Sequence, residues 1–143
     1  MRGRAFYEEV YDAFTGFLPP SLRDFKSYRT SHNMKVWWGT GGEHYEVQTI
    51  RRRTGYELEI GFHAEHKDAD QNQEVIDALT AEEKKWRKAL GREPEAGRFL
   101  GSQTRTWRRL SEVWPATDDP DVAVDAAQRL AAYICALEPL RTA

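Results

Sequence analysis

The sequence predicts an α+β fold, with one antiparallel sheet of about four to six strands and helices packed on one face. Three observations predict it. Strand-like runs between residues 25 and 65 follow one another with no helix between them, so they pair antiparallel. Two of these runs alternate polar and apolar side chains with a period of two. Segments of helical period stand before and after them, each with one apolar stripe that needs a surface to cover. The 143 residues are expected to form a single globular domain, 1–143, large enough to bury a core without disulfides.

The first helix is expected over residues 4–18, where Phe6, Val10, Ala13, Phe14 and Phe17 recur at helical spacing and Pro19-Pro20 stops the chain. "FKSYRT" and "MKVWWG" read as two strands around the turn-like "SHN", and "GTGGE" as a flexible loop. In "HYEVQT", Tyr45, Val47 and Thr49 fall on one side and His44, Glu46 and Gln48 on the other. In "ELEIGFHAE", Leu58, Ile60, Phe62 and Ala64 oppose Glu57, Glu59, His63 and Glu65. Thr54-Gly55 between the two runs is the turn of a hairpin.

After "HKDAD", with Asp68 or Asp70 as cap, Val75, Ile76, Leu79, Trp86 and Leu90 give a helical stripe that Gly91 ends. "TAEE" at residues 80–83 has the pattern of a capping box, so this stretch can be two helices. "GREPEAGRFLGSQ" reads as a loop with a short strand at Phe99, and "TRTWRRLSEVWP" as a strand returning to the sheet, although Trp107, Leu110 and Trp114 also suit a helix. In the last helix Asp118 or Asp119 caps, Pro120 enters the first turn and Pro139 closes the end. Its stripe is Ala123, Ala127, Leu130, Ile134 and Leu137, and Cys135 is expected to be a buried thiol among them.

Charge is balanced, 21 basic against 23 acidic residues, so no strong field draws the chain to nucleic acid. "RRR" at residues 51–53 and "RTWRR" at residues 105–109 then read as solvated charge, and nucleic acid is not expected as a partner. No apolar run reaches the ~18 residues of a membrane span, and the single cysteine suits a reducing compartment, so a cytoplasmic protein is expected. "GTGG" lacks the lysine of a phosphate loop, and neither Ser102 nor Ser111 stands in a nucleophile elbow. "EHK" at residues 65–67 has the Glu-x-Lys spacing found in restriction-type nucleases, a three-residue pattern that arises by chance and stands here in a different element order.

One constellation stands out. The hairpin carries His-x-Glu twice, at His44/Glu46 and His63/Glu65, on the side opposite the helices. Placing Tyr45 and Val47 on the same face as Ile60 and Phe62 makes the paired residue numbers sum to an odd value. The short turn favours 107, which sets His44 opposite His63, or 109, which sets His44 opposite Glu65. Directly opposed Cβ atoms lie about 4.5–5.5 Å apart, so either register gathers the four side chains, with Gln48 and Glu59 beside them. Trp37 shares this face if "MKVWW" sends Met34, Val36 and Trp38 inward; Trp37 then either anchors a partner or packs under "GTGGE".

The simplest expectation is a face open to water. The functional reading is a non-enzymatic binding or regulatory domain that uses Trp37, His44, Glu46, Gln48, Glu59, His63 and Glu65 for a protein or small-molecule partner. Self-association as a homodimer through the same face is compatible with it. No metal or cofactor is expected; were an ion to bind, His44, Glu46, His63 and Glu65 would hold it. The alternative is a small metal-dependent or His/Glu acid–base enzyme of hydrolase type at the same face. That reading needs a loop such as "GTGGEH" or "GREPEAGRFLGSQ" folded over His44 and His63 to exclude water.

Overall fold

A computed structural model describes residues 3–101, 105–115 and 117–142. Ser102 and the end of "GREPEAGRFLGSQ" lie outside the described residues. Among the described residues four α-helices and six strands, with a short 3-10 turn at Pro20–Leu22, follow in the order α1 (Arg4–Phe17), β1 (Lys26–Arg29), β2 (Asn33–Trp37), β3 (Glu43–Arg52), β4 (Gly55–Ala64), α2 (Ala69–Ala81), α3 (Glu83–Leu90), β5 (Glu95–Arg98), β6 (Arg108–Trp114) and α4 (Val122–Arg141). The strands make one antiparallel sheet in the order β1-β2-β3-β4-β6-β5. The fold is α+β, and α1 and α4 pack on the sheet. Among the described residues no helix is long and apolar enough to cross a membrane.

The core lies between the sheet and the helices, where period two meets period 3.6. Met34, Val36, Tyr45, Val47, Leu58, Ile60, Phe62 and Leu110 come from the sheet, and Val10, Phe14, Ile76, Leu79, Trp86, Leu130, Ile134 and Leu137 from the helices. In α1 the buried face includes Tyr7, whose hydroxyl meets Thr49 Oγ1 at 2.6 Å, while Phe17 turns outward. The expected place of Phe17 in the stripe is thus corrected. The last turn, with Pro19 and Pro20 close behind, leaves it no surface to cover.

The hairpin β3–β4 has the register that sums to 107, with His44 opposite His63 and Val47 opposite Ile60. Its connection is Arg53-Thr54, one residue earlier than expected, and Gly55 already belongs to β4. Asp68 caps α2 by accepting from the Asp70 amide at 2.9 Å. The break near Thr80 makes two helices, but no side chain caps α3; instead Trp86 Nε1 donates to Leu79 O at 2.7 Å and sets the angle between them.

The run around Trp107 is a strand, because β6 fills the free edge of β4 and brings Leu110 into the core. The short strand before it is Glu95–Arg98, and Phe99 follows it. Three corrections concern α4. It begins at Val122 with Asp121 in the cap position and no side-chain cap, so Pro120 precedes the helix and neither Asp118 nor Asp119 caps it. Pro139 lies inside the helix, which runs on to Arg141. Arg141 donates to Glu43 Oε1 at 2.8 Å and to Glu138, so the last turn is held from outside despite the amide that proline lacks. Cys135 is exposed, since a helix face centred on Leu130, Ile134 and Leu137 rotates it outward.

Candidate metal centre

The face away from the helices is closed at its middle, which corrects the expectation of an open, solvated surface. His44, Glu46, Glu59 and His63 are at most 3 % exposed. Three neighbours cover them. The Phe99 ring stands edge-on to His63 with centroids 5.1 Å apart, and Trp107 packs behind it. The loop before β3 brings the Gly41 carbonyl to 3.2 Å from His44 Nδ1. Asn33 and Lys35 of β2 reach in from the side, because β2 pairs with β3 so that Lys35 lies opposite Glu46 and Asn33 opposite Gln48. Each of the two loops that could have covered the histidines therefore touches one of them.

Four side-chain atoms converge there. His44 Nε2 lies 2.9 Å from Glu46 Oε1 and 3.4 Å from Glu65 Oε2. His63 Nδ1 lies 3.0 Å from the same Glu46 oxygen and 3.1 Å from the same Glu65 oxygen. The four atoms form a ring that alternates nitrogen and oxygen, and all lie within 4.8 Å of one another. A tetrahedral ion with bonds of ~2.0–2.1 Å spaces all its ligands by about 3.3 Å; the sides of this ring match that spacing, and its diagonals, up to 4.8 Å, would shorten around such an ion.

The hydrogen-bond map fixes the role of each outer nitrogen. His44 Nδ1 faces a carbonyl, so it must donate, and His44 Nε2 then faces only two carboxylate oxygens. His63 Nε2 faces Glu59 Oε1 at 3.1 Å, so it too must donate, and His63 Nδ1 again faces only carboxylate oxygens. Acceptors surround both rings completely. Each inner nitrogen requires either a proton or a metal ion to stand between it and the carboxylates.

Electrostatics agree with the map. Desolvation is the largest single influence and lowers the pKa of both imidazoles, but it is outweighed. Glu46 and Glu65 raise His44, while Glu59, Glu46 and Glu65 hold His63 well above the ordinary histidine value. Burial likewise pushes the carboxyls up, and the facing imidazoles outweigh it, holding Glu46 far below its usual range and Glu65 down to about 2. The carboxylates are thus ionised at neutral pH and available as ligands.

A second layer of contacts orients the first. Glu46 Oε2 accepts from Asn33 Nδ2 at 3.0 Å, and Glu65 Oε1 lies 3.7 Å from Lys35 Nζ. Glu59 is held by Gln48 Nε2 and Ser111 Oγ, each at 2.5 Å, and Ser111 in turn accepts from Arg109 Nη1 at 3.0 Å. Ligating histidines characteristically donate their outer N–H to a carbonyl or carboxylate, as both do here.

Glu59 and His63 stand four residues apart on one strand, yet they touch because Gly61 between them has no side chain. Gly61 has φ +155°, and a Cβ there would lie 2.5 Å from Leu110 O and from Ser111 Cα.

Of the residues singled out from sequence, His44, Glu46, His63 and Glu65 form the ring, and Gln48 and Glu59 stand behind it. Trp37 is half-buried at the rim, under Gly41, whose added Cβ would be 3.2 Å from Trp37 Nε1. Asn33, Lys35, Phe99 and Ser111 were not among the candidates. Lys35 had a signal in its alternation onto the same face as Trp37, and Phe99 in its place on a loop expected to be able to cover His44 and His63. Ser111 donates to a carboxylate rather than to a histidine, which is not the arrangement of an activated nucleophile. A cleft of about 200 Å³ beyond Ser111, bounded by Glu93, Glu95, Arg109 and Trp114, shares with the centre only this serine and Arg109 behind it. The chain matches no family model, no curated protein and no solved structure.

Proposed function

We propose that the chain is a non-enzymatic metal-binding domain whose ligand is a divalent transition ion held by His44, Glu46, His63 and Glu65. One observation carries the reading: the inner nitrogen of each buried imidazole faces two carboxylate oxygens and nothing else, at 2.9–3.4 Å. Two imidazole nitrogens and two carboxylate oxygens within 4.8 Å of one another, each ligand braced from behind, suit an ion with imidazole and carboxylate affinity. This departs from the expectation that no metal binds, because that expectation assumed a solvated face.

The enzymatic alternative needs a coordination position left for substrate or water. Two nitrogens and two oxygens from the protein already complete a four-coordinate shell, as in structural sites. Closure over the histidines fits retention of an ion as well as it fits exclusion of water.

The test is a thermal titration of the purified chain with zinc and manganese, beside a His44→Ala/His63→Ala variant. An ion that binds only the folded state at 100 times its dissociation constant adds ~2.7 kcal/mol, which raises Tm by roughly 5–10 °C. The variant should show no rise. A wild type that shifts with neither ion sinks the proposal, and a variant that shifts as much as the wild type places the ion elsewhere.

A further inference from the structure

We infer that the centre selects a four-coordinate ion of the zinc type over manganese, magnesium and calcium, and that Asn33 and Lys35 of β2 impose the choice. The inference rests on the metal-binding reading above. A carboxylate can bind an ion through one oxygen or two, and that decides how many ligands a fixed set of residues supplies. Here each carboxylate has one oxygen turned inward and the other engaged behind it. Glu46 presents Oε1 while Asn33 Nδ2 holds Oε2 at 3.0 Å. Glu65 presents Oε2 while Oε1 faces the Lys35 ammonium at 3.7 Å.

Asn33 cannot easily release its hold. Its Oδ1 accepts from Thr30 Oγ1 at 2.5 Å, and its backbone N–H donates to the same hydroxyl at 3.2 Å. The side-chain nitrogen is therefore the end that points at Glu46. Lys35 lies directly across from Glu46 in the β2–β3 register, so its stem runs along the ring toward Glu65.

With both carboxylates limited to one oxygen, and one nitrogen from each imidazole, the count is four. Calcium takes 6–8 oxygens, and magnesium demands an octahedron of oxygens and water. Manganese also favours oxygen-rich six-coordinate sites. The missing ligands would have to be waters, and His44 and His63 at 2 % and 0 % exposure leave little room for them. Zinc is content with four ligands of mixed nitrogen and oxygen.

The experiment compares wild type, Asn33→Ala, Lys35→Gln and the double variant as full chains. Competition titration gives the zinc-to-manganese preference. Cobalt(II) substituted for zinc reports geometry, since four-coordinate cobalt absorbs visible light intensely and six-coordinate cobalt only faintly. The wild type should prefer zinc and give the intense band. In the variants the freed oxygens can bind as well, so the preference should fall about 10–100-fold and the band should fade.

An unchanged preference and band in the double variant overturn the inference, as does a faint band in a wild type that does bind metal. Failure of the wild type to bind any of the ions overturns the metal-binding reading itself. Lys35 is partly exposed, so Lys35→Gln carries the comparison alone if Asn33→Ala does not fold.

Discussion

Gly61→Ala tests whether the approach of β4 to β6 is as close as the centre requires. The methyl group would stand 2.5 Å from Leu110 O, 2.5 Å from Ser111 Cα and 2.6 Å from Ser111 Cβ. These atoms belong to the backbone and first side-chain carbon of the paired strand, so no flexible side chain can yield. Two costs combine. Overpacking costs about 1–3 kcal/mol, and holding alanine near φ +155° costs a further 1–3 kcal/mol or so. The sum, roughly 2–6 kcal/mol, lowers Tm by about 5–20 °C in a chain of this size. The strain is relieved by moving β6 away, which draws Ser111 off Glu59 and loosens Glu59 from His63, so zinc affinity should fall about 10–100-fold. Gly97→Ala in the edge strand β5 is the control, because nothing lies within 4 Å of its added Cβ. It should change stability by no more than about 0.5 kcal/mol. Thermal denaturation without metal and competition titration with zinc give both readouts. Equal effects from the two substitutions would refute the close-approach argument.

Trp38→Ala should cost about 2–3 kcal/mol in urea denaturation, since it removes a half-buried ring packed on Phe25 and Tyr45. Trp37→Ala at the rim should cost about 1 kcal/mol or less, and a larger loss at Trp37 than at Trp38 would reverse the face assignment of β2. Phe99→Ala removes the ring that roofs His63, so a chelator should extract zinc about 2–10-fold faster, the rate equivalent of an aromatic pair worth ~0.5–1.5 kcal/mol; an unchanged extraction rate would show that ions leave by another route. Stability without metal should be greatest in mildly acidic solution. Glu46 and Glu65 have lowered values, so their contribution is present above about 4.5 and lost as pH falls, whereas His44 and His63 have raised values, so theirs is complete below about 6.5 and lost as pH climbs through the folded-state values. With zinc present the trend above pH 6.5 should invert, because metal requires deprotonated imidazole; parallel Tm curves with and without zinc would count against the centre.

The hairpin and its register could be read from the chain because two constraints meet there. Alternation sends Tyr45, Val47, Ile60 and Phe62 to one face, and a two-residue connection leaves little freedom in how the strands slide. That alone gathers His44, Glu46, His63 and Glu65. Their burial was legible only as a choice between open and covered: "GTGGEH" and "GREPEAGRFLGSQ" could be named as covers, but no pattern in them says that they fold over the face. Phe99 reaches His63 only because β5 pairs with β6 and β6 with β4, and Ser111 meets Glu59 across the same junction. Asn72 is another such case: it has no exposed surface, and its amide bonds the His66 backbone and the Thr106 carbonyl, pinning the exit of β4. Polar residues that satisfy distant backbone are invisible to periodicity. The misplacement of Pro139 has a similar origin, because the tie from Arg141 to Glu43 joins the end of α4 to the start of β3, 98 residues away in the chain.

The inner nitrogens of His44 and His63 have a consequence for how the protein would fill and empty. Two protons carry the same charge as one divalent ion, so exchanging one for the other, at a pH where both inner nitrogens are protonated in the empty chain, leaves the net charge and the electrophoretic mobility unchanged. Neither state places an uncompensated charge in the interior, the circumstance that makes burial of ions so costly. The emptied chain should keep its shape and wait to be refilled, with loading a step that follows folding and does not drive it. If it binds metal as proposed, such a protein would exchange its cargo in the manner of a buffer, unlike small zinc fingers that collapse when the ion leaves. A dispersed amide spectrum in the presence of excess chelator at pH 6 is what this behaviour predicts, and a collapsed one would show that the ion is needed to hold the strands together.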